Sequence, residues 1–372
     1  MSPADSPESI YMEQAIALAE GTGDCSYPAL NEGAVIVDQG VVIAEASASN
    51  HDNTSTILQV IHSLTDTPSP AAKLYCTLEP EWSQVEAIRV ALECFGMRKL
   101  AIGTPHPCKD QSGRAIKDLQ QADFAVQTGL KETACKDLNF LSHVHRTLAP
   151  PFVAAKVALT LDGKFAAASG QSKWVTGEAA RQDVHKWRKR FPAIVVGAST
   201  VLQDDPQLTA RLDGHLPHCP TRCVLDSNLR SLECQQLPQI YRDEFKERTL
   251  IICSESSALA KQSELQALGL KSWSIPCQPN GRLCLKSFLE RCQQASIHGL
   301  YFEPGPRLLS ALLDNELLDY LFVYKAPKLI CDQEAQGIGS QRLTQTMEAA
   351  YTLDNPTYTQ LGQDYLVRGY LK

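Results

Sequence analysis

A chain of 372 residues is long enough for two domains, each able to bury its own core. Its 44% hydrophobic and 21% charged residues form an ordinary globular balance, and a net charge of −7 argues against a general nucleic-acid binder, which would usually be basic. No apolar run reaches the roughly 18 residues of a membrane span, and the polar start MSPADSPES lacks the apolar core of a signal peptide. The 13 cysteines are scattered without a C-x-x-C pair, so reduced thiols in a cytoplasmic protein are expected.

Residues 10–20 carry apolar side chains at helical spacing and predict an amphipathic helix. Pro28 and Asn31 open a loop. Residues 33–43 read as two strands around Asp38-Gln39-Gly40, a hairpin. Further strands are expected at 73–77, 99–103 and 125–126, with helices at 85–96 and 118–122. Alternating helices and strands predict an α/β layer fold. Ala149-Pro150-Pro151 stiffens the chain and marks a boundary, which divides it into residues 1–148 and 149–372.

In the second part, residues 152–161 predict a strand, and Asp162-Gly163 a turn. Thr176 is expected to cap a helix with Ala180, Val184 and Trp187 on one face. Residues 193–196 predict the next strand, followed by Gly197-Ala198-Ser199-Thr200 and the polar turn Asp204-Asp205-Pro206. Strands at 222–225, 250–253, 300–303 and 320–324 alternate with helices at 255–268, 285–294 and 307–314. The expected sheet is mostly parallel, with its ligand at the carboxyl ends of the strands. No P-loop, H-E-x-x-H or G-x-S-x-G is present, and Gly337-Ile338-Gly339 reads as a loop rather than a dinucleotide fingerprint. His106-Pro107-Cys108 reads as a surface loop, His143 and His145 as partly exposed linker residues, and the group His215, His218, Cys219 and Cys223 as a loop entering a strand.

Residues 12–17 and 33–37, Cys76-Thr77-Leu78-Glu79-Pro80 and Gly113-Arg114 resemble the N-terminal, cytidine-deaminase-like domain of the bifunctional riboflavin-biosynthesis deaminase–reductase family. That resemblance implies a three-layer domain and a zinc held by a His-Ala-Glu segment and two Cys after Thr-Leu-Glu-Pro, which activates a water. The ligands are missing here. Ser55, Thr56 and Ile57 stand where His-Ala-Glu would, neither His51 nor His62 has a Glu two positions on, and Glu81 replaces the first Cys. A degenerate deaminase domain, with no zinc and no metal ligands, is the expectation.

Residues 156–211, with the run 323–329, resemble the reductase half of the same family, whose fold is that of dihydrofolate reductase. The resemblance implies NADPH as cofactor. Carried over by position, Ala158, Trp174, Thr200, Asp204 and Ser227 match cofactor contacts, while Ser172, Arg188, Leu208 and Arg211 surround the ribose-phosphate substrate. Glu303 matches an acidic residue that opens a Val-Glu-Gly-Gly segment, here Phe302-Glu303-Pro304-Gly305, so Pro304 removes one N–H that could hold cofactor phosphate. Gly305 and the helix start at Arg307 are left as the anion site. Arginine suits a sugar phosphate because its planar fork matches phosphate oxygens.

The expected function is NADPH-dependent reduction of a ribosylaminopyrimidine phosphate to its ribityl form, in its deaminated uracil form if a separate deaminase acts first. A homodimer is implied by the resemblance; nucleic-acid and membrane partners are not expected. Two alternatives stand beside it: a paralogous reductase of another pyrimidine or pterin-like metabolite, suggested by Pro304 and Arg307, and a non-catalytic scaffold.

Overall fold

The computed structural model describes residues 8–21, 30–49, 55–144, 150–212, 217–339 and 344–372. It forms two compact units, Met1–Arg146 and Thr147–Lys372. The expected 148/149 boundary, the loop at Pro28, and His51, His145 and His215 lie outside the described residues.

The first unit comprises α1 (Ser9–Gly21), β1 (Asn31–Asp38), β2 (Val41–Ser49), α2 (Thr56–His62), β3 (Lys73–Leu78), α3 (Val85–Cys94), β4 (Lys99–Thr104), α4 (Arg114–Gln121), β5 (Ala125–Thr128), α5 (Glu132–Leu138) and α6 (Phe140–Val144). The five strands run in the order β2-β1-β3-β4-β5. The β1–β2 hairpin and the β1–β3 pair are antiparallel, and β3, β4 and β5 are parallel. The apolar run of β1 is continuous because both sheet faces are covered. Ala34 and Ile36 pack with α2, α3 and α4, whereas Val35 and Val37 pack with α1 and Cys135 of α5. This is the expected three-layer arrangement. Helices α2, α5 and α6 are additional to the elements legible in the sequence.

Gly33 lies directly beneath α1, and a Cβ there would collide with the Ala15 carbonyl oxygen. That neighbour is helix backbone and cannot rotate away. Gly33→Ala is therefore expected to destabilise the chain by about 1–3 kcal/mol. Urea unfolding followed by circular dichroism checks it, and an unchanged midpoint would contradict this packing.

The second unit comprises β6 (Phe152–Thr160), α7 (Glu178–Arg190), β7 (Ala193–Gly197), α8 (Ala198–Asp204), β8 (Thr221–Leu225), β9 (Thr249–Ser254), α9 (Glu255–Ala260), α10 (Gln262–Leu268), β10 (Lys271–Ile275), α11 (Leu285–Gln294), β11 (Gly299–Phe302), α12 (Pro306–Asp314), β12 (Tyr320–Ala326), β13 (Leu353–Leu361) and β14 (Asp364–Leu371). The sheet order is β10-β9-β8-β7-β11-β6-β12-β14-β13. Pairing from β10 through β12 is parallel, and β14 and β13 add antiparallel strands at one edge. Val153, Ala155, Val157 and Leu159 of β6 face α11 and α12, where Phe288, Leu309 and Leu312 complete the core. Strand alternation turns Lys156 and Ala158 to the opposite face. Trp187 of α7 is buried, with its ring 4.6 Å from that of Phe322 on β12.

Two local expectations are corrected. Gly177, not Thr176, is the N-cap of α7, and no side chain caps it. Instead the Gly177 N–H donates to Asp364 Oδ2 at 2.6 Å. Residues 198–204 form a helix that runs into the expected polar turn at Asp204-Asp205-Pro206, and the helix expected over 255–268 is two helices that meet at Lys261. Arg188, Lys189 and Arg190 occupy the last turn of α7 and Glu178 its first, which suits the helix dipole.

Candidate active site

The carboxyl ends of β6, β7 and β11 adjoin in the sheet, and the polar residues of the second unit gather around them. Glu303 follows β11, and its N–H donates to the Val195 carbonyl at 2.9 Å. Its carboxylate receives a fork from Arg188 of α7: Nε to Oε1 at 2.6 Å and Nη2 to Oε2 at 3.0 Å. Both side chains are largely buried, at 13% and 12% exposure. Burial pushes the Glu303 carboxyl up, but the charges of Arg188 and then Lys156 outweigh it and hold it down at about 2. Glu303 is thus a fixed anion that locks Arg188 in place.

Lys156 belongs to the same cluster. Burial first, and then Arg188, weaken its hold on its proton, while Glu303 and Asp204 oppose this. Its Nζ lies 6.0 Å from the ring centre of Tyr324, whose hydroxyl donates to Asp183 at 2.7 Å. Lys156 is not among the residues that the sequence singles out. The signal available was a lysine one side-chain period from Ala158 inside an apolar strand, where a charge needs a partner.

The remaining Arg188 nitrogen, Nη1, donates to the Thr209 carbonyl at 3.1 Å. His185 Nδ1 lies 3.0 Å from the same oxygen and also 3.3 Å from the Arg211 backbone N–H, so this ring nitrogen sits between Thr209 and Arg211. Burial first, then Arg188 and Arg211, depress the His185 pKa to about 4, so the ring is neutral at physiological pH. Arg211 is exposed, and its Nη1 donates to Gln207 Oε1 and Thr209 Oγ1, both at 2.7 Å. Arg188 and Arg211 therefore converge on Thr209. One is consumed by Glu303; the other keeps Nε and Nη2 without a hydrogen-bond partner among the described residues.

The other residues singled out from the sequence distribute as follows. Ala158 is half-buried on the Lys156 face of β6. Trp174 is 65% exposed, with the Arg181 guanidinium 4.6 Å from its ring centre and its carbonyl accepting from Lys328 Nζ at 2.8 Å. Ser172 is two residues away and half-buried. Lys173 ties this segment to α8 by donating to the Asp204 carbonyl at 3.1 Å. Thr200 lies on the same short helix. Ser227 follows β8, and its carbonyl accepts from the Ser254 N–H at 3.1 Å. Leu208 differs in kind: its side chain is buried in the core with Ile194 and Val224, and its φ is 54°. Gly305 is the N-cap of α12, with open space where a Cβ would stand. Pro306 at the first helical position also lacks an N–H, and the Leu308 N–H donates to the Gly305 carbonyl at 3.1 Å. The start of α12 thus offers fewer amides than Pro304 alone implied.

A matched domain model decides the family. Residues 151–367 match the RibD C-terminal domain. The chain belongs to the RibD family. It is 32% identical over 366 residues to the riboflavin biosynthesis protein RibD of Actinobacillus pleuropneumoniae, covering 96% of this chain and 93% of that one. Acinetobacter baumannii RibD superposes with a TM-score of 0.64 at 27% identity, covering 98% of this chain and 99% of that one. A Thermotoga maritima structure described as a diaminohydroxyphosphoribosylaminopyrimidine deaminase/5-amino-6-(5-phosphoribosylamino)uracil reductase superposes with a TM-score of 0.66 at 25% identity, with 98% of each chain covered. These relatives carry both RibD units, a deaminase-like domain and a dihydrofolate-reductase-like domain. The chain is an NADPH-dependent reductase of riboflavin biosynthesis. No helix among the described residues is long and apolar enough to cross a membrane.

Ser55 caps α2, its Oγ accepting from the Leu58 N–H at 3.4 Å. Glu79 is fully buried and accepts from the N–H groups of His106, Gly113 and Ile116 at 2.9, 2.7 and 3.1 Å. His106, expected on a surface loop, is instead buried, with Nδ1 accepting from the Cys108 N–H at 3.1 Å. His143 lies on α6 rather than in a linker, and burial depresses its pKa to about 4. Burial raises the Glu32 carboxyl to about 7 against a lowering contribution from Thr56, with the Glu81 charge raising it further. Among the described residues, no three His, Cys, Asp or Glu side chains are grouped to hold a metal ion.

Proposed function

We propose that this RibD chain reduces the ribosyl group of 5-amino-6-(5-phosphoribosylamino)uracil to a ribityl chain, using NADPH, and that its N-terminal domain does not deaminate. The observation that carries the reading is the cationic end of the reductase sheet, where Arg188 is locked by Glu303 and Arg211 presents unpartnered donors beside Thr209. Such a site suits a phosphorylated sugar. A pre-set geometry is what hydride transfer needs, because the cofactor carries the chemistry and the protein supplies position and electrostatics.

Residues suited to hold the cofactor are Ala158, Trp174, Thr200, Asp204, Ser227 and Gly305. The open space above Gly305 admits close approach of a phosphate. When bound, NADPH supplies the hydride that reduces C1′ of the open-chain imine. Ser172, Arg188, Leu208, Arg211 and Glu303 frame the substrate. Arg211 grips the phosphate, Glu303 remains ionised and fixes Arg188, and Leu208 shapes the loop that carries Thr209.

Zinc does not fit the N-terminal residues. The Ser55 hydroxyl is committed to a helix cap, and Thr56, Ile57 and Glu81 supply no His or Cys at the remaining positions. A homodimer in the cytoplasm, with no nucleic-acid or membrane partner, completes the proposal.

The test uses purified full-length protein with two pyrimidines. NADPH consumption and ribityl product are expected with the uracil substrate. With the diamino-pyrimidinone precursor, no ammonia release is expected, and metal analysis should find zinc far below one per chain. Stoichiometric zinc together with ammonia release would overturn the inactive-deaminase part and leave the reductase part standing.

A further inference from the structure

Arg222 of β8 is fully buried, with no exposed surface. All five of its N–H donors are used. Nε donates to Thr249 Oγ1 at 2.9 Å, Nη1 to Asp243 Oδ2 at 2.6 Å and to the Gln207 carbonyl at 3.0 Å, and Nη2 to Asp243 Oδ1 at 2.8 Å and to the Ile240 carbonyl at 2.9 Å. Four of these bonds stay within the frame around residues 240–249. The fifth reaches the loop that carries Thr209 and Arg211.

The place where it reaches matters. The Gln207 carbonyl belongs to the peptide that enters Leu208, whose φ is 54°. A leucine in this left-handed region costs on the order of 1 kcal/mol and persists only where its surroundings impose it. Fixing the Gln207 carbonyl fixes the plane of that peptide, and the buried Leu208 side chain fixes the other side of the torsion. The backbone then delivers the Thr209 carbonyl to Arg188 Nη1 and His185 Nδ1, and the Thr209 hydroxyl to Arg211. A second tether acts two residues earlier. Asp205, also in the left-handed region at φ 41°, accepts from the Gln239 N–H at 2.7 Å, and its carbonyl accepts from the Gln239 side chain. Gln239 and Arg222 thus hold this loop at two points, one on each side of Pro206.

We propose that Arg222 is a positioning residue for substrate binding: together with Asp243 it clamps the Gln207 carbonyl and so sets where Thr209 and Arg211 stand. The inference rests on the reading above that Arg211 grips the substrate phosphate. Asp243 neutralises the guanidinium, so the clamp adds no charge to the site. Its effect is geometric, and displacements of about 1 Å remote from the chemistry can cost as much as about 100-fold.

The test compares Arg222→Lys with Arg211→Ala and the parent in the full-length enzyme. A lysine keeps the charge but cannot supply five planar donors. For Arg222→Lys, KM for the phosphorylated substrate is expected to rise about tenfold, with kcat and KM for NADPH changed less than about threefold. The same substrate without its phosphate should show no difference between Arg222→Lys and the parent. If Arg211→Ala leaves KM for the phosphorylated substrate unchanged, the phosphate reading itself fails, and the clamp with it. If Arg211→Ala raises KM and Arg222→Lys does not, only the clamp fails. A loss spread equally over both substrates and NADPH would mark Arg222 as merely structural and overturn the proposal. Should Arg222→Lys not fold, Asp243→Asn, which keeps the volume but breaks the two-point hold on the Arg222 fork, carries the same selective KM increase at smaller size, and its absence would overturn the clamp.

Discussion

Replacing Glu303 with alanine is expected to cost about 3–5 kcal/mol of stability, the typical penalty for leaving a buried charge without its partner. Arg188 makes two of its three side-chain bonds to this one carboxylate, and Lys156 shares the same anion. Reductase activity should fall by about 100-fold or more, because Arg188 would no longer be held against Thr209. Glu303→Gln separates charge from shape, since it keeps an acceptor and the volume and loses only the anion. Its pH dependence gives the sign. The folded carboxyl sits at about 2, below its ordinary value of 4.5, so the anion stabilises the fold above about pH 4.5. That contribution is lost as pH falls toward 2. The stability gap between parent and Glu303→Gln should therefore be full at neutral pH and narrow between about 4.5 and 2. Urea midpoints measured across that window check it; a gap that stays constant would contradict the ion pair.

Arg211→Ala should act on binding with little effect on the fold. The side chain is exposed, and exposed substitutions usually stay within about 0.5 kcal/mol. Charge-assisted hydrogen bonds contribute about 1.5–3 kcal/mol each. KM for the phosphorylated substrate is accordingly expected to rise about 10- to 100-fold, with an unchanged melting temperature and unchanged KM for NADPH. Arg211→Lys should recover only part of the loss, because an ammonium cannot form the fork. Steady-state kinetics with both variants measures this. An equal loss in kcat with KM constant would place Arg211 in the chemical step instead.

Much of the fold was legible because its strands are long apolar runs between turn residues. The β1–β2 hairpin is one case, with Gln39 and Gly40 at positive φ. The segment 285–294 is another, read as a helix with the bounds it has. β13 was not legible. Its sequence, LDNPTYTQL, carries a proline and few apolar side chains, because it is a sheet edge whose register shifts between Asp354 and Thr357. Helices α2, α5 and α6 are only five to seven residues long and owe their form to packing rather than periodicity.

At the candidate site, the resemblance supplied the residues but not their division of labour. Arg188 and Arg211 read alike in the sequence. Only the three-dimensional pairing of Arg188 with Glu303, 115 positions away, separates a locked arginine from a presenting one. Leu208 reads as a substrate contact by position, and in the fold its side chain is core and its backbone is in the left-handed region. Lys156 and Arg222 were passed over because each sits in a strand whose apolar neighbours dominate the pattern. Long-range partners such as Asp243 for Arg222 leave no trace in local spacing.

The second unit is expected to be a working reductase for the uracil substrate. The most direct measurement is NADPH oxidation by the purified full-length protein in the presence of 5-amino-6-(5-phosphoribosylamino)uracil, with the ribityl product identified by mass. Oxidation is expected to depend on the substrate, to yield one ribityl product per NADPH and to be lost in Glu303→Ala. Absence of NADPH binding at millimolar cofactor, or oxidation that proceeds equally without the pyrimidine, would contradict it.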